Sequence, residues 1–356
     1  MIEVFDLRNA DAWRALRAPF LTGLAMGLAL MLLPLAALGK VGESPEPPLR
    51  PADPTPVGSP SASPVPTPAP GEWDSAHTLR VLQKDGTVEE LTLSDYLWRV
   101  AAAEMPASFE VEALRAQAVC ARTYSLWKQA AGSHQANGAD VCTDPSCCQA
   151  YITPENAAQK WEDAASAYTA KIAGAVADTD GYVLTYEGAL IQAVFFSSAN
   201  GSTAGAEEVW GSSLPYLTPV DSPEGDEVPN YRTAVTLTAE EVRALVQGAG
   251  LGCDLSGAAS TWFQNLKRTA SGRVASVELG GAELSGGAAR GLFSLRSASF
   301  DVAEADGVFT FSVTGYGHGV GMSQYGANTL AGEGSGWREI LVHYYTGTEI
   351  WHMQKR

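Results

Sequence analysis

The N-terminal part of this chain combines an uncharged run with a proline-rich tract, and together they confine any folded body to the residues that follow. From Ala18 to Gly39 there is no charged side chain, and at about 1.5 Å per residue a helix of this length crosses the hydrocarbon core of a bilayer. Residues 43–72 are dominated by proline, serine and small residues, a composition that cannot bury enough apolar surface to fold. The sequence therefore predicts a transmembrane anchor over residues 18–39, a Pro/Ser-rich linker over residues 40–76 and one folded domain over residues 77–356.

The basic residues Arg8, Arg14 and Arg17 precede the uncharged run and predict how it is oriented. Basic flanks stay in the cytoplasm, so residues 1–17 are expected inside the cell and the folded domain outside, held to the cell membrane by a single pass. A cleaved signal peptide is the alternative, although the apolar run is longer than such peptides need and "PLAALGK" matches their cleavage site weakly.

Charge and hydrophobic patterning bound the class of the folded domain. The 356-residue chain carries a formal charge of −17, which argues against nucleic acid as a partner because phosphate binding needs clustered Lys and Arg. Apolar and polar residues alternate on either side of Asp85-Gly86 and again around Glu187-Gly188, the pattern of hairpins with tight turns. A helix with Thr238 as its N-cap is expected in "TAEEVRALVQGAG". Hairpins separated by helices predict an α+β fold with antiparallel sheets.

One carboxylate stands in the alanine-rich segment "DYLWRVAAAEMP". With Ser94 as the expected N-cap, helical spacing from Leu97 places Glu104 on the apolar face of the helix. Pro106 predicts that the helix ends nearby, so Glu104 meets the negative end of the helix dipole. Burial and the dipole would both raise the pKa of this group, as a general acid requires near neutral pH. A core glutamate or an exposed last-turn residue remains the alternative.

The next helix, expected to start at Ser108, carries polar side chains among alanines. Spacing from Leu114 places Gln117 and Arg122 on one stripe. The guanidinium could pair with Glu104 or with a carboxylate of a substrate, and a purely structural Arg–Glu bridge is equally compatible with the pattern.

A cluster of potential metal ligands follows in "HQANGADVCTDPSCCQAY". His134, Cys142, Cys147 and Cys148 are close enough in sequence to form a structural zinc site of imidazole and thiolates. A disulfide is the alternative in a chain exported from the cytoplasm.

Two loops carry further candidates for a binding site. In "VTGYGHGVGMSQYGA" the glycines alternate, so an extended segment would have one bare face and would present His318 as a hydrogen-bond donor or proton shuttle; a glycine-lined bend packed under a sheet is the alternative. The segment "FFSSANGSTAGAEEVWGSSLPYL" supplies hydroxyls, an amide and the rings of Trp210 and Tyr216, the groups that bind carbohydrate; an ordinary Ser/Gly-rich loop is the alternative. Ser198 and Gln324 are the polar candidates of these two loops.

These segments, in this order over roughly residues 78–351, resemble the sporulation stage II protein D family, also called the SpoIID/LytB domain. The resemblance rests on "DYLWRVAAAEMP", "EALRAQAVCARTY", "DVCTDPSCCQAY", "FFSSANGST", "PYL" and "GHGVGMSQYGA". It implies a membrane-anchored lytic transglycosylase with a substrate groove, cutting peptidoglycan strands that have lost their stem peptides during the wall remodelling of sporulation. A wall amidase in the same membrane complex is a further expected partner.

The resemblance also implies roles for single residues. Glu104 matches the catalytic acid, Arg122 a substrate-positioning residue and Tyr216 an aromatic of the groove. The residues taken as substrate-binding candidates are Gln117, Arg122, Ser198, Tyr216, His318 and Gln324. Cys142 and Cys148 match zinc ligands of some members, with His134 as a third. Two positions depart from the family pattern: Cys147 stands where relatives often have His, which leaves the fourth ligand open, and Thr218 stands where some carry Lys.

A single acid suits the implied chemistry. Glycosidases use two carboxylates, whereas in a lytic transglycosylase the O6 hydroxyl of N-acetylmuramic acid attacks C1, and one glutamate serves first as acid and then as base. Two rival functions remain at this point. One is a non-catalytic wall-binding or amidase-enhancing protein, and the other is a zinc amidase with His318 and the cysteines around a catalytic metal.

Overall fold

The computed structural model describes residues 67–353 as a body of short helices and strands. The helices are α1 (Glu72–Ala76), α2 (Leu93–Glu104), α3 (Val111–Ala131), α4 (Pro154–Trp161), α5 (Ala165–Asp178), α6 (Ala206–Trp210), α7 (Ala239–Gly248), α8 (Gly286–Leu292), α9 (Gln324–Gly332) and α10 (Trp337–Tyr344). The strands are β1 (Thr78–Leu82), β2 (Val88–Thr92), β3 (Val141–Cys142), β4 (Tyr182–Tyr186), β5 (Ala189–Leu190), β6 (Phe195–Phe196), β7 (Arg232–Thr238), β8 (Phe263–Arg268), β9 (Val274–Leu279), β10 (Ala282–Ser285), β11 (Phe300–Ala305), β12 (Val308–Thr314), β13 (Met322–Ser323) and β14 (Glu349–His352).

The strand pairing confirms the α+β fold with antiparallel sheets. Strands β1 and β2 form the hairpin expected at Asp85-Gly86, and β4 and β5 form the one expected at Glu187-Gly188. Longer antiparallel sheets have the orders β10-β9-β8, β11-β12-β7 and β14-β4-β5. The parallel pairs β1-β3 and β13-β6 span two residues on each strand.

Helix α3 is the centre of the part of the body that precedes β7. Helices α2, α5, α9 and α10 and strand β4 all contact it, because its alanines are buried and leave room for close helix packing. Gly132 ends the helix in the left-handed conformation, at φ 64°, which glycine adopts without strain.

The helix boundaries near Glu104 differ slightly from the sequence expectation. The side chain of Thr92, not Ser94, caps α2 by accepting from the Asp95 N–H. The next helix begins at Val111 rather than at Ser108. The end of α2 is as expected, because Met105 is extended in front of Pro106 and Glu104 is the last helical residue.

The folded body begins earlier than the sequence predicts. Residues assigned to the linker form helix α1, in which Trp73 and Asp74 are buried. The carboxylate of Asp180 accepts from the main-chain N–H groups of both residues, at 3.0 and 2.8 Å. The linker boundary at residue 76 is therefore wrong: the buried contacts of these two side chains belong to the body.

A second hydrophobic core lies within the segment from β7 to β12, which the sequence does not predict as a separate unit. Its buried side chains come from residues 242–313 and include Trp262, Phe309 and Phe311. The chain enters and leaves this segment at one point, where the N–H of Gly315 donates to the carbonyl of Tyr231 at 2.8 Å. We call residues 232–314 the inserted segment.

Within residues 67–353, none of the helices has the length and apolarity required to cross a bilayer. The span predicted over residues 18–39, the cytoplasmic stretch over residues 1–17 and most of the predicted linker lie outside the described residues.

Candidate functional site

The carboxylate of Glu104 accepts hydrogen bonds at both of its oxygens. The main-chain N–H of Ala150 donates to Oε1 at 2.5 Å, and Nε2 of Gln324 donates to Oε2 at 3.5 Å. The residue is neither fully buried nor fully exposed. The two contacts orient the carboxylate, and its partial exposure lets a substrate reach it.

Gln324 links Glu104 to Gln117 on the central helix. Its Nε2 also lies 3.5 Å from Oε1 of Gln117, and the two glutamines are 5% and 0% exposed. The structure thus brings together three residues predicted for the site, from α2, α3 and α9. The predicted direct contact of Gln117 with substrate is wrong, because Gln117 is fully buried. Its side chain instead supports Gln324.

The four cysteine-loop residues meet in space. One ligand atom from each of His134, Cys142, Cys147 and Cys148 lies within 4.8 Å of the other three, and Nε2 of His134 is 3.2 Å from Sγ of Cys148. Tetrahedral zinc with bonds of about 2.0–2.3 Å needs ligand atoms about 3.3–3.8 Å apart. All five cysteines are free thiols, so this Cys₃His arrangement fits a structural zinc ion.

The cysteine loop is connected directly to Glu104. The N–H of Cys142, on β3, donates to Sγ of Cys148 at 3.3 Å. Gln149 is buried and donates to Oγ of Ser125 on α3 at 3.0 Å. The following residue, Ala150, supplies the N–H that holds Oε1 of Glu104. The conformation of this loop therefore fixes the position of a donor to the candidate acid.

Arg122 takes no part in this cluster. It is fully buried and forms a bidentate pair with Asp74, with Nε–Oδ1 and Nη2–Oδ2 distances of 2.7 and 2.5 Å. Its remaining donors reach the carbonyls of Tyr182 and Val176. The predicted contacts of Arg122 with Glu104 or with substrate are therefore wrong, and the side chain anchors helix α1 to α3.

His318 is a structural residue of the glycine-rich loop. The N–H of Val320 donates to its Nδ1 at 3.1 Å, so the ring proton sits on Nε2 and is donated to the carbonyl of Phe195 at 3.0 Å. Burial, together with the nearby charges of Arg290 and Arg273, lowers the pKa of His318 to about 4. Both nitrogens bond to the main chain, which leaves neither for a proton shuttle, whereas a contact of the partly exposed ring with substrate stays a prediction.

The glycine-rich loop is a series of bends rather than an extended segment. Gly315, Gly317, Gly319 and Gly321 have φ between 75° and 114°, values that glycine tolerates. A Cβ at Gly321 would lie 2.1 Å from the carbonyl oxygen of Val194, and one at Gly319 would lie 2.4 Å from Nε of Arg273. The bare faces thus allow β6 and Arg273 to pack against the loop, the alternative that the sequence left open.

Ser198 and Tyr216 lie on loops that pack against the central core. Ser198 is 4% exposed, and its N–H and carbonyl both bond to the main chain of Tyr316. The Tyr216 hydroxyl accepts from the N–H of Gln192 at 3.2 Å, and its ring lies 5.6 Å from that of Tyr186. The substrate-binding roles of Ser198 and Tyr216 stay predictions.

Trp210 is an exposed aromatic of the segment that the sequence associates with carbohydrate, although it is not among the substrate-binding candidates named above. Its side chain is 42% exposed at the end of α6, with its ring centroid 5.5 Å from that of His318. One face of the indole is therefore supported and the residue is open to solvent.

Comparison with known proteins matches residues 83–186 to the SpoIID family model, described as Stage II sporulation protein. The chain is similar to Stage II sporulation protein D of Bacillus amyloliquefaciens, with 38% identity over 74% of this chain and 75% of that protein. The protein of the same name from Bacillus subtilis (strain 168) is 37% identical over 74% and 76% of the two chains. The amidase enhancer of the same strain is 29% identical over 69% of this chain and 39% of its own length. The candidate residues Glu104, Cys142 and Cys148 all lie inside the matched family segment.

Proposed function

Because the chain belongs to the stage II sporulation protein D family, we propose that it is a lytic transglycosylase acting on the glycan strands of peptidoglycan in sporulation. The observation that carries this proposal is Glu104, a partly exposed carboxylate held by Ala150 and Gln324 at the meeting point of α2, α3 and α9. A single oriented acid matches a reaction in which the substrate supplies its own nucleophile.

In the proposed reaction Glu104 acts twice. Protonated Glu104 gives its proton to the glycosidic oxygen between N-acetylmuramic acid and N-acetylglucosamine as the bond to C1 breaks. The carboxylate then takes the proton of the muramic O6 hydroxyl as that oxygen bonds to C1, which yields a 1,6-anhydro end and restores the acid. The N–H of Ala150 and the amide of Gln324 hold the carboxylate in place through both steps.

We propose that His134, Cys142, Cys147 and Cys148 hold zinc as a structural ion. The zinc ion would cross-link the loop that carries Ala150, and the reaction itself needs no cofactor. The zinc-amidase alternative is not supported, because it requires His318 as a ligand and both nitrogens of that ring bond to the main chain.

The proposed setting is the outer side of the cell membrane. Residues 18–39 would anchor the chain in one pass with residues 1–17 in the cytoplasm, and the proline-rich linker would carry the catalytic body toward the wall. Polyproline-like chain extends by about 3.1 Å per residue, so the body could act several tens of Å from the lipid. A wall amidase that removes stem peptides is the partner this substrate would require.

The test is cleavage by the Glu104→Gln variant. The amide is nearly isosteric, so the fold should remain, while loss of general acid catalysis should lower turnover at least about 10²-fold. Purified chain is incubated with denuded glycan strands, and anhydro-ended fragments are counted by mass spectrometry. Glu90→Gln, an exposed change on β2, is the matched control and should cleave like the parent.

A second function is favoured by the similarity to the amidase enhancer, namely a wall-binding protein without its own glycan chemistry. In that case the parent and the Glu104→Gln variant would both leave denuded strands uncut while binding them equally well.

A further inference from the structure

Three arginines of the inserted segment gather around the glycine-rich loop. Arg273 is 4% exposed, packs against the bare face of Gly319 and donates from Nη1 to the carbonyl of Ser202 at 3.1 Å. Arg273 is thus buried in the packing between the inserted segment and the glycine-rich loop. Arg290 and Arg296 are partly exposed, although the Nε of Arg296 is buried.

Arg290 bonds to Leu295, the residue before Arg296, and Arg296 stacks on Tyr316. The main chains of Arg290 and Leu295 are hydrogen-bonded, and Nε of Arg290 also donates to the Leu295 carbonyl at 3.3 Å. The guanidinium carbon of Arg296 is 4.0 Å from the ring centroid of Tyr316. This cation–π contact fixes the orientation of the guanidinium group.

These two guanidinium groups lack acidic partners in the part of the chain that the structure describes. No ion pair there involves either residue, and the buried Nε of Arg296 has no hydrogen-bond partner. Arg115 and Arg122, by contrast, pair with Asp178 and Asp74. A carboxylate would supply the charge partner that both guanidinium groups lack.

The loop that carries Tyr316 leads to the candidate acid. The N–H of Gly317 donates to the carbonyl of Arg296 at 3.0 Å, and the chain continues through β13 to Gln324, which contacts Glu104. The segment from Gly315 to Gln324 thus connects Tyr316, on which Arg296 stacks, with the partner of Glu104.

The charge of the protein makes a local cationic site necessary for the proposed substrate. A glycan strand without stem peptides carries one free lactyl carboxylate on every muramic residue, and a chain with a net charge of −17 repels such a polyanion. An arginine fork satisfies a carboxylate with charge-assisted hydrogen bonds. We propose that Arg290 and Arg296 form a site for the lactyl carboxylate of a muramic residue in the bound strand. This inference rests on the proposed function and specifies which group of the substrate the protein recognises.

Binding measured without turnover tests this site. The full chain carrying Glu104→Gln is titrated with fluorescently labelled denuded strands and with the same strands whose lactyl carboxylates have been converted to methylamides. We expect methylamidation to weaken binding about tenfold or more, as loss of a charge-assisted contact should. Equal affinity for the two strands would overturn the proposal, and this comparison needs no change in the arginines.

Variants assign the effect to the pair. Arg290→Gln and Arg296→Gln in the same background should each weaken binding of denuded strands about tenfold and leave binding of methylamidated strands unchanged. Arg243→Gln removes the same charge from an exposed position of the inserted segment and should change neither. Equal weakening for both strands, or an equal effect of Arg243→Gln, would refute a carboxylate site at Arg290 and Arg296.

Strands that keep their stem peptides separate two sources of carboxylate. If they bind as tightly as denuded strands and depend on the arginines in the same way, the ligand is a peptide carboxylate and the lactyl assignment is wrong. Failure of the proposed function is distinguishable, because a chain with Glu104 intact that binds in an arginine-dependent manner yet forms no anhydro ends would refute the cleavage reaction alone.

Discussion

Replacing Arg122 should destabilise the fold without touching catalysis. The resemblance of this chain to its family implies that Arg122 positions substrate, whereas in the structure the side chain is fully buried and pairs with Asp74. Arg122→Met leaves the Asp74 carboxylate buried without its counter-ion and deprives the carbonyls of Tyr182 and Val176 of donors. Removing one partner of a buried ion pair costs about 3–5 kcal/mol, so we expect a loss of that size in the free energy of unfolding.

The assay combines unfolding with a cycle of variants. Urea unfolding is followed for the parent, Arg122→Met, Asp74→Leu and the double variant. Each single change leaves one uncompensated charge, whereas the double change replaces the pair by apolar side chains, which is often neutral or stabilising. We therefore expect the double variant to be more stable than either single variant, with a coupling energy of roughly 2 kcal/mol or more.

Activity per folded molecule decides between the two roles. At a temperature where Arg122→Met is fully folded, its kcat/KM on denuded strands should lie within about twofold of the parent, because an equal kcat/KM means that no transition-state contact was lost. A folded Arg122→Met protein with a tenfold or larger loss, or a cycle with no coupling, would refute the structural role.

Two further perturbations test the loops around Glu104. Burial lowers the pKa of His318 from 6.5 to about 4, so as pH falls the imidazole is protonated in the unfolded chain before it is protonated in the folded one. The stability that the neutral ring contributes is therefore lost between pH 6.5 and pH 4. At 1.36 kcal/mol per pKa unit the loss is about 3 kcal/mol. The difference in unfolding free energy between the parent and His318→Gln should shrink by this amount between pH 7 and pH 4, and a constant difference would contradict the neutral, hydrogen-bonded ring. For the cysteine loop, Cys142→Ser or chelation should lower the melting temperature and the cleavage rate together, because structural zinc contributes folding free energy; a fully folded, metal-free protein without activity would instead indicate a catalytic metal.

The sequence predicted those parts of the site that depend on local chemistry. Helical spacing placed Glu104 on the inner face of its helix, and Pro106 determined where the helix ends. The spacing of histidine and cysteines identified a cluster whose ligand atoms do meet. In each case the residues involved are near in sequence, so the local rule was sufficient.

The contacts that the sequence missed are between distant residues. Gln324 lies 220 positions from Glu104, and the sequence suggested it only as a polar candidate of its loop, not as a contact of Glu104. Asp74 follows a proline-rich tract, and the short helix around it has no periodicity to distinguish it from linker, so the partner of Arg122 could not be foreseen. The inserted segment has its own core, but its hairpins look like those of the remaining sheets, and only the contact between Gly315 and Tyr231 shows where it starts and ends.

The alanines around Glu104 have a physical reason that follows from these contacts. Three main-chain segments, from α2, α3 and the start of α9, must approach closely enough for Glu104, Gln324 and Gln117 to touch, and larger side chains would separate them. The start of α9 is held just as closely on its other side: Ser323 caps the helix and donates to the buried Glu224, and a Cβ at Gly326 would lie 2.1 Å from the hydroxyl of Tyr344. Gln324 therefore has little freedom to move away from Glu104. The alanines and this glycine keep the acid's neighbours in position, as an oriented single-carboxylate mechanism requires.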